Sequence, residues 1–121
     1  MMRYTKYIAL FWLMLAAAAC QSDSLTANAG QDFTVSVDSA PAFDGCASTG
    51  EIVNYKWIIS GAPSAMIGDV GKVIRAVDVN CSFTLEANMG LDEVGEWVID
   101  LEVRDPAGNT ATDSVVVTVV Q

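Results

Sequence analysis

Three thiols, fifteen carboxylates and no histidine bound the chemistry open to this chain. Without an imidazole, neither Ser-His-Asp nor Cys-His catalysis is available to it. Cys20, Cys46 and Cys81 are too far apart in sequence for a compact thiolate metal site. Paired carboxylates suit a glycosidase only where two of them flank a substrate cleft, and the chain has no glycine loop of phosphate-cradling spacing. Oxygen ligation of calcium is the remaining option. Asp44, Asp92, Asp105 and Asn109 are the residues from which such a site would be drawn, although none sits in an EF-hand spacing. Asp105 is better suited to capping its own turn. The expectation is therefore no catalytic residue and no cofactor, with calcium as the one ion to test.

Cys20 stands in a different context from the other two thiols. Arg3 and Lys6 precede an uncharged apolar run of 13 residues, Tyr7 to Ala19, which ends in four alanines. That is the plan of a secretory signal peptide, and the run is shorter than the roughly 20 residues of a membrane-spanning helix. Small residues followed directly by cysteine resemble a bacterial lipobox, whose thiol is lipidated and becomes the mature N-terminus. The position three before the cysteine, leucine in that pattern, is Ala17 here, with Leu15 further upstream. Cleavage by an ordinary signal peptidase after Ala17-Ala18-Ala19, or retention of the run as an anchor, are the alternatives. The resemblance implies a chain divided into a signal helix, 1–19, a lipidated Cys20 with a short polar tether, 20–27, and one domain, 28–121. Residues 21–27 extended span about 25 Å at most, at roughly 3.3–3.6 Å per residue. The domain is thereby expected close to a bacterial membrane. Gln21 is not the aspartate that resembles an inner-membrane retention signal, which favours the outer membrane.

All fifteen acidic residues follow Cys20, and the net charge of −9 becomes −11 once Arg3 and Lys6 leave with the signal. Such a surface repels nucleic acid and anionic headgroups, so no nucleic-acid partner is expected. Export also places Cys46 and Cys81 where disulfides persist. Paired, they would close a long loop; two unpaired buried thiols are the alternative.

The elements that must position these groups are β throughout. In Trp97 to Arg104, Trp97, Ile99, Leu101 and Val103 share one face, and Asp100, Glu102 and Arg104 the other. Alternation with period two predicts a half-buried strand. Asp105-Pro106-Ala107-Gly108-Asn109 supplies turn chemistry, and Thr112 to Val120 a valine-rich strand. Val53, Tyr55, Trp57 and Ile59 alternate in a second strand, which ends at Ser60-Gly61-Ala62-Pro63. Cys81, Phe83 and Leu85 mark a third, Phe33, Val35 and Val37 a fourth, and Ala40 to Phe43 the start of another. Met66 to Val79 reads as an irregular connection with a short strand, because Gly68 and Gly71 oppose a long helix. The fold class is all-β, a sandwich of about seven strands after the signal helix. Its expected core comprises Tyr55, Trp57, Phe83, Leu85, Trp97, Ile99, Leu101 and Val103.

From Ala27 to Val120 the chain resembles the polycystic kidney disease (PKD) domain, an immunoglobulin-like sandwich. The resemblance rests on Ala29-Gly30-Gln31-Asp32, on Phe43-Asp44-Gly45-Cys46-Ala47-Ser48 with cysteine where the family has serine, and on Ile52-Val53-Asn54-Tyr55-Lys56-Trp57. Gly95-Glu96-Trp97, Leu101 to Asp105 and Gly108 complete the ordered set. Ser60-Gly61-Ala62-Pro63 is similar to the subgroup without an acidic Gly-Asp-Gly loop, and Trp97 stands where the family has tyrosine. The resemblance implies that Cys46 ends strand B beside Cys81 on strand E, which favours a bridge. It also implies a non-catalytic module that contacts an envelope protein or an extracellular polymer. A carbohydrate- or calcium-dependent binding module is the alternative, and an enzyme the last one. Val115 to Val120, uncharged on both faces, could accept a partner strand if it lay at a sheet edge.

Overall fold

A computed structural model describes residues 24–86 and 90–121. The signal segment, Cys20 and the first tether residues lie outside the described residues. Seven strands follow in order: β1 (Phe33–Ser36), β2 (Ala42–Asp44), β3 (Asn54–Gly61), β4 (Val73–Asp78), β5 (Ser82–Thr84), β6 (Gly95–Arg104) and β7 (Thr110–Val120). A 3-10 segment, Ser64–Asp69, separates β3 from β4.

The β6–β7 hairpin is the spine. Its ten cross-strand pairs run from Gly95–Val119 to Arg104–Thr110. The period-two pattern puts Trp97, Ile99, Leu101 and Val103 from β6, with Val115, Val117 and Val119 from β7, into the interior, all at most 1% exposed. β3 joins the far side of β6 antiparallel, pairing Trp57 with Leu101 and Ile59 with Ile99. β1 joins β7 in parallel, so the large sheet has the order β1-β7-β6-β3-β4. β2 and β5 form the facing two-stranded sheet, in which Phe43 pairs with Phe83. The result is the all-β sandwich expected from the alternation, in the immunoglobulin-like form that the resemblance implied.

Aromatic rings join the layers. The Phe43 centroid lies 5.4 Å from Trp57, 5.3 Å from Phe83 and 5.7 Å from Phe33, so side chains of both sheets meet in one cluster. Such pairs add about 0.5–1.5 kcal/mol each beyond the burial of their area. Six of the eight expected core side chains are buried, while Tyr55 and Phe83 are half-buried and pack against the cluster from its margin. The reason is position. Tyr55 lies near the start of β3, and Phe83 belongs to a sheet too narrow to cover both of its flanks. Ala29, Phe43, Ile59, Leu91, Val115, Val117 and Val119 complete the core.

The domain also begins earlier than residue 28. Thr26 pairs with Thr49 through reciprocal backbone hydrogen bonds, and Leu25 and Ala27 pack against the core. The alternation Leu25-Thr26-Ala27 is too short to stand out as a strand in sequence. It takes its conformation from the Thr49 segment opposite.

Two glycines are demanded by close approach. A Cβ on Gly45 would lie 2.7 Å from Leu101 Cδ2 and 3.2 Å from Trp57 Cζ2. One on Gly95, whose φ is +141°, would lie 2.7 Å from Pro63 Cγ. Pro63 thus fits against the start of β6, which gives the Ser60-Gly61-Ala62-Pro63 break a packing role.

Candidate interaction surfaces

Each group singled out for chemistry has a definite place. Cys46, just after β2, and Cys81, just before β5, form a disulfide with Cα atoms 4.9 Å apart. The Gly45 N–H donates to the Cys81 carbonyl beside it. The bridge closes the end of the narrow sheet, whose strands are only three residues long.

Trp97 performs at its position what a tyrosine performs at the equivalent corner of such sandwiches. Its indole Nε1 donates to the Glu93 carbonyl at 3.0 Å, four residues upstream, while the ring is fully buried. A buried indole N–H needs a partner, and this bond fixes the entry of the chain into β6. Trp57 is 1% exposed, so it is an inter-sheet core residue and not a sugar-stacking platform.

The four calcium candidates do not converge. Asp92 precedes β6 and Asp105 follows it, and a ten-residue strand puts roughly 30 Å between its ends. Asp105 turns inward on its own loop. Its Oδ1 accepts the N–H groups of Ala107 and Asn109, and its Oδ2 accepts the Asn109 side-chain amide. Asp44 Oδ1 accepts the Cys46 N–H. Among the described residues no group of three or more His, Cys, Asp or Glu side chains is placed to hold a metal ion.

The Asn109 side-chain amide, ahead of the loop N–H groups, holds the Asp105 carboxyl below its ordinary value of 3.8. A lowered folded-state pKa means stability present above the unfolded value and lost as pH falls through the folded one. The amide resonances of Ala107 and Asn109 are therefore expected to titrate with a midpoint below 3.8. In an Asp105→Asn chain, that titration should vanish and the hairpin tip should exchange its amides faster at neutral pH. An unshifted midpoint would contradict the closed loop.

Val115 to Val120 is not an acceptor edge. β7 is flanked on one side by β6 and on the other by β1, which pairs Phe33 to Ser36 with Val117 to Val120. Beyond the end of β1, Asp32 Oδ1 accepts the Val116 N–H and Asp113 Oδ2 accepts the Ala29 N–H. Residues 29–36 cover this edge.

β4 ends the large sheet on the side opposite β1, and among the described residues it pairs only with β3, through a register that shifts twice. Five of the eight large hydrophobic side chains exposed among the described residues fall here: Ile67, Val70, Val73, Val77 and Val79. A groove of about 480 Å³ adjoins the strand. Met66, Ile74 and Leu85 provide its apolar lining, and Asp69, Lys72 and Asp92 its charges. The sequence reads here as an irregular connection with a short strand, because the bulged β4 shows no regular alternation and only Ile74 of its large apolar side chains packs against the core.

No protein-family model and no curated protein matches the sequence. Solved structures do. A PKD domain from the KIAA 1837 protein superposes with a TM-score of 0.55 at 26% identity, covering 83% of this chain and 90% of that one. Fibronectin(III)-like modules of CbhA from Clostridium thermocellum give 0.54 at 16% identity, covering 81% and 98%. Strand order, inter-sheet tryptophan and these likenesses agree: the described domain is an immunoglobulin-like β-sandwich of PKD type.

Proposed function

We propose that the chain is an exported lipoprotein, anchored through Cys20, whose single PKD-like module makes non-catalytic contacts with a protein or polymer of the cell envelope. The observation that carries this reading is the pairing of an export signal with a disulfide-closed sandwich. Cys46–Cys81 suits the oxidising compartment to which a signal before Cys20 would direct the chain. Sandwiches of this type commonly serve as interaction modules. The two described tryptophans and most large apolar side chains are committed to the core, leaving loops and sheet edges as the surfaces for contact.

Attachment follows from chain arithmetic. Acyl groups gain about 0.8 kcal/mol per buried CH₂, and more than one chain gives stable anchoring. With Leu25 already packed on the sandwich, only residues 21–24 separate the anchor from the domain, which holds it against the membrane. A Cys20→Ser chain is expected to move from the membrane to the soluble fraction and to lose incorporation of labelled fatty acid. Firm membrane association of that variant would refute the lipid anchor in favour of an uncleaved helix.

A further inference from the structure

The geometry points to β4 as an acceptor edge for an extended, apolar and basic segment of a partner protein, which would add as a sixth strand to the large sheet. This rests on the reading of the domain as an interaction module and names its contact surface. Backbone groups on the outer side of β4 have no strand partner among the described residues. Exposed edges usually carry protective charge or proline. Here Val73 is 44%, Val77 60% and Val79 77% exposed, with Ile67 at 65% on the preceding 3-10 segment. Among the described residues these side chains are not part of the core cluster, and apolar groups gathered at one edge mark a contact surface. The two register shifts bend β4, which disfavours stacking of flat edges while leaving room for one added strand.

Charge selects the occupant. The Arg75 guanidinium is spent on Asp78, at 2.7 Å, and on the Phe83 ring. Lys72 alone then faces Asp69 and Asp92 in the groove, with Glu86 and Glu93 exposed beside it in sequence. The local surplus is negative, as is the whole chain at −9. A second copy would bring the same surplus and be repelled, whereas a strand with basic residues would be drawn in. Its alternate apolar side chains would meet Val73 and Ile74, and main-chain hydrogen bonds would supply the affinity.

The test uses the chain as the cell produces it, isolated in detergent micelles and observed by amide NMR. Two synthetic peptides serve as probes: Lys-Val-Thr-Val-Thr-Val-Lys and its twin with Glu at both ends. The basic peptide is expected to shift the amides of Val73 to Asp78, Leu85 and Gly90 saturably. The acidic twin should bind about tenfold more weakly, and high salt should narrow the gap. Val77→Lys, at an exposed site, should weaken the basic peptide about tenfold, while Val120→Lys, on β7 with β6 and β3 between it and β4, should not. Equal binding of the twins, shifts away from β4, or a silent Val77→Lys would overturn the assignment. So would concentration-dependent broadening of the β4 amides without peptide, which would indicate a second copy. Release of the Cys20→Ser chain reports on the anchor alone, so failure of either reading is separately visible.

Discussion

A Trp57→Ala chain is expected to lose about 3–5 kcal/mol of stability, the range for removing a buried aromatic side chain. The total for a domain of this size is about 5–15 kcal/mol, so the substitution should leave it close to unfolding at ambient temperature. Trp57 sits at the centre of β3, pairs across to Leu101, and touches Phe43 and Phe83 of the opposite sheet with centroids 5.4 and 5.7 Å away. Gly45 lies flush against the indole and brings no side chain to fill the space that alanine would leave. Partial relaxation lowers the cost but does not remove it. Thermal unfolding followed by circular dichroism should show a midpoint about 15–30 °C below the parent, on a scale of roughly 4–8 °C per kcal/mol. A Trp57→Phe chain, which keeps a ring, should lose distinctly less. A midpoint within a few degrees of the parent for the alanine variant would mean that the indole is not what joins the two sheets.

Removing the disulfide is the second large perturbation. Cys46 and Cys81 are 35 residues apart, and the chain-entropy account gives about 3–4 kcal/mol for a loop of that length. The effect should be uneven. β2 and β5 pair over three residues each, and a short two-stranded sheet is marginal by itself. The β6–β7 hairpin, with ten cross-strand pairs, is held independently of the bridge. In a Cys46→Ser/Cys81→Ser chain, amide exchange should therefore accelerate first at Ala42–Asp44 and Ser82–Thr84, with the valines of β7 protected longest. Global unfolding should move about 15–25 °C lower, and reductant should reproduce the shift in the parent chain. Identical melting with and without reductant would show that the bridge contributes nothing.

The narrow sheet also bears on binding. Because β2 and β5 provide little width, the large sheet extends past them on the β4 side. Side chains there are left uncovered by the described residues: Val73 and Val77 are exposed, and Ile74 is only half-buried. The groove beside β4 follows from this mismatch between a five-stranded and a two-stranded layer. The same asymmetry leaves Phe83 half-buried, with the Arg75 guanidinium 5.2 Å from its ring centre as partial cover.

Strand identity was legible from sequence wherever one face is buried and the other wet. Alternation through Trp97, Ile99, Leu101 and Val103 determines which side of β6 faces inward, since a slip by one residue would turn every one of them to solvent. The Asp105 to Asn109 turn was equally readable, because its carboxylate needs only amides within four residues. These are local requirements, and a linear chain states them directly. Edges are different. That Val115 to Val120 is enclosed while Val73 to Asp78 is open depends on β1 returning to pair with β7, a contact between segments more than 80 residues apart. The half-burial of Tyr55 and Phe83 also arises only when distant strands take their order. Strand order is a property of the assembled sheets, and only the tertiary structure decides it.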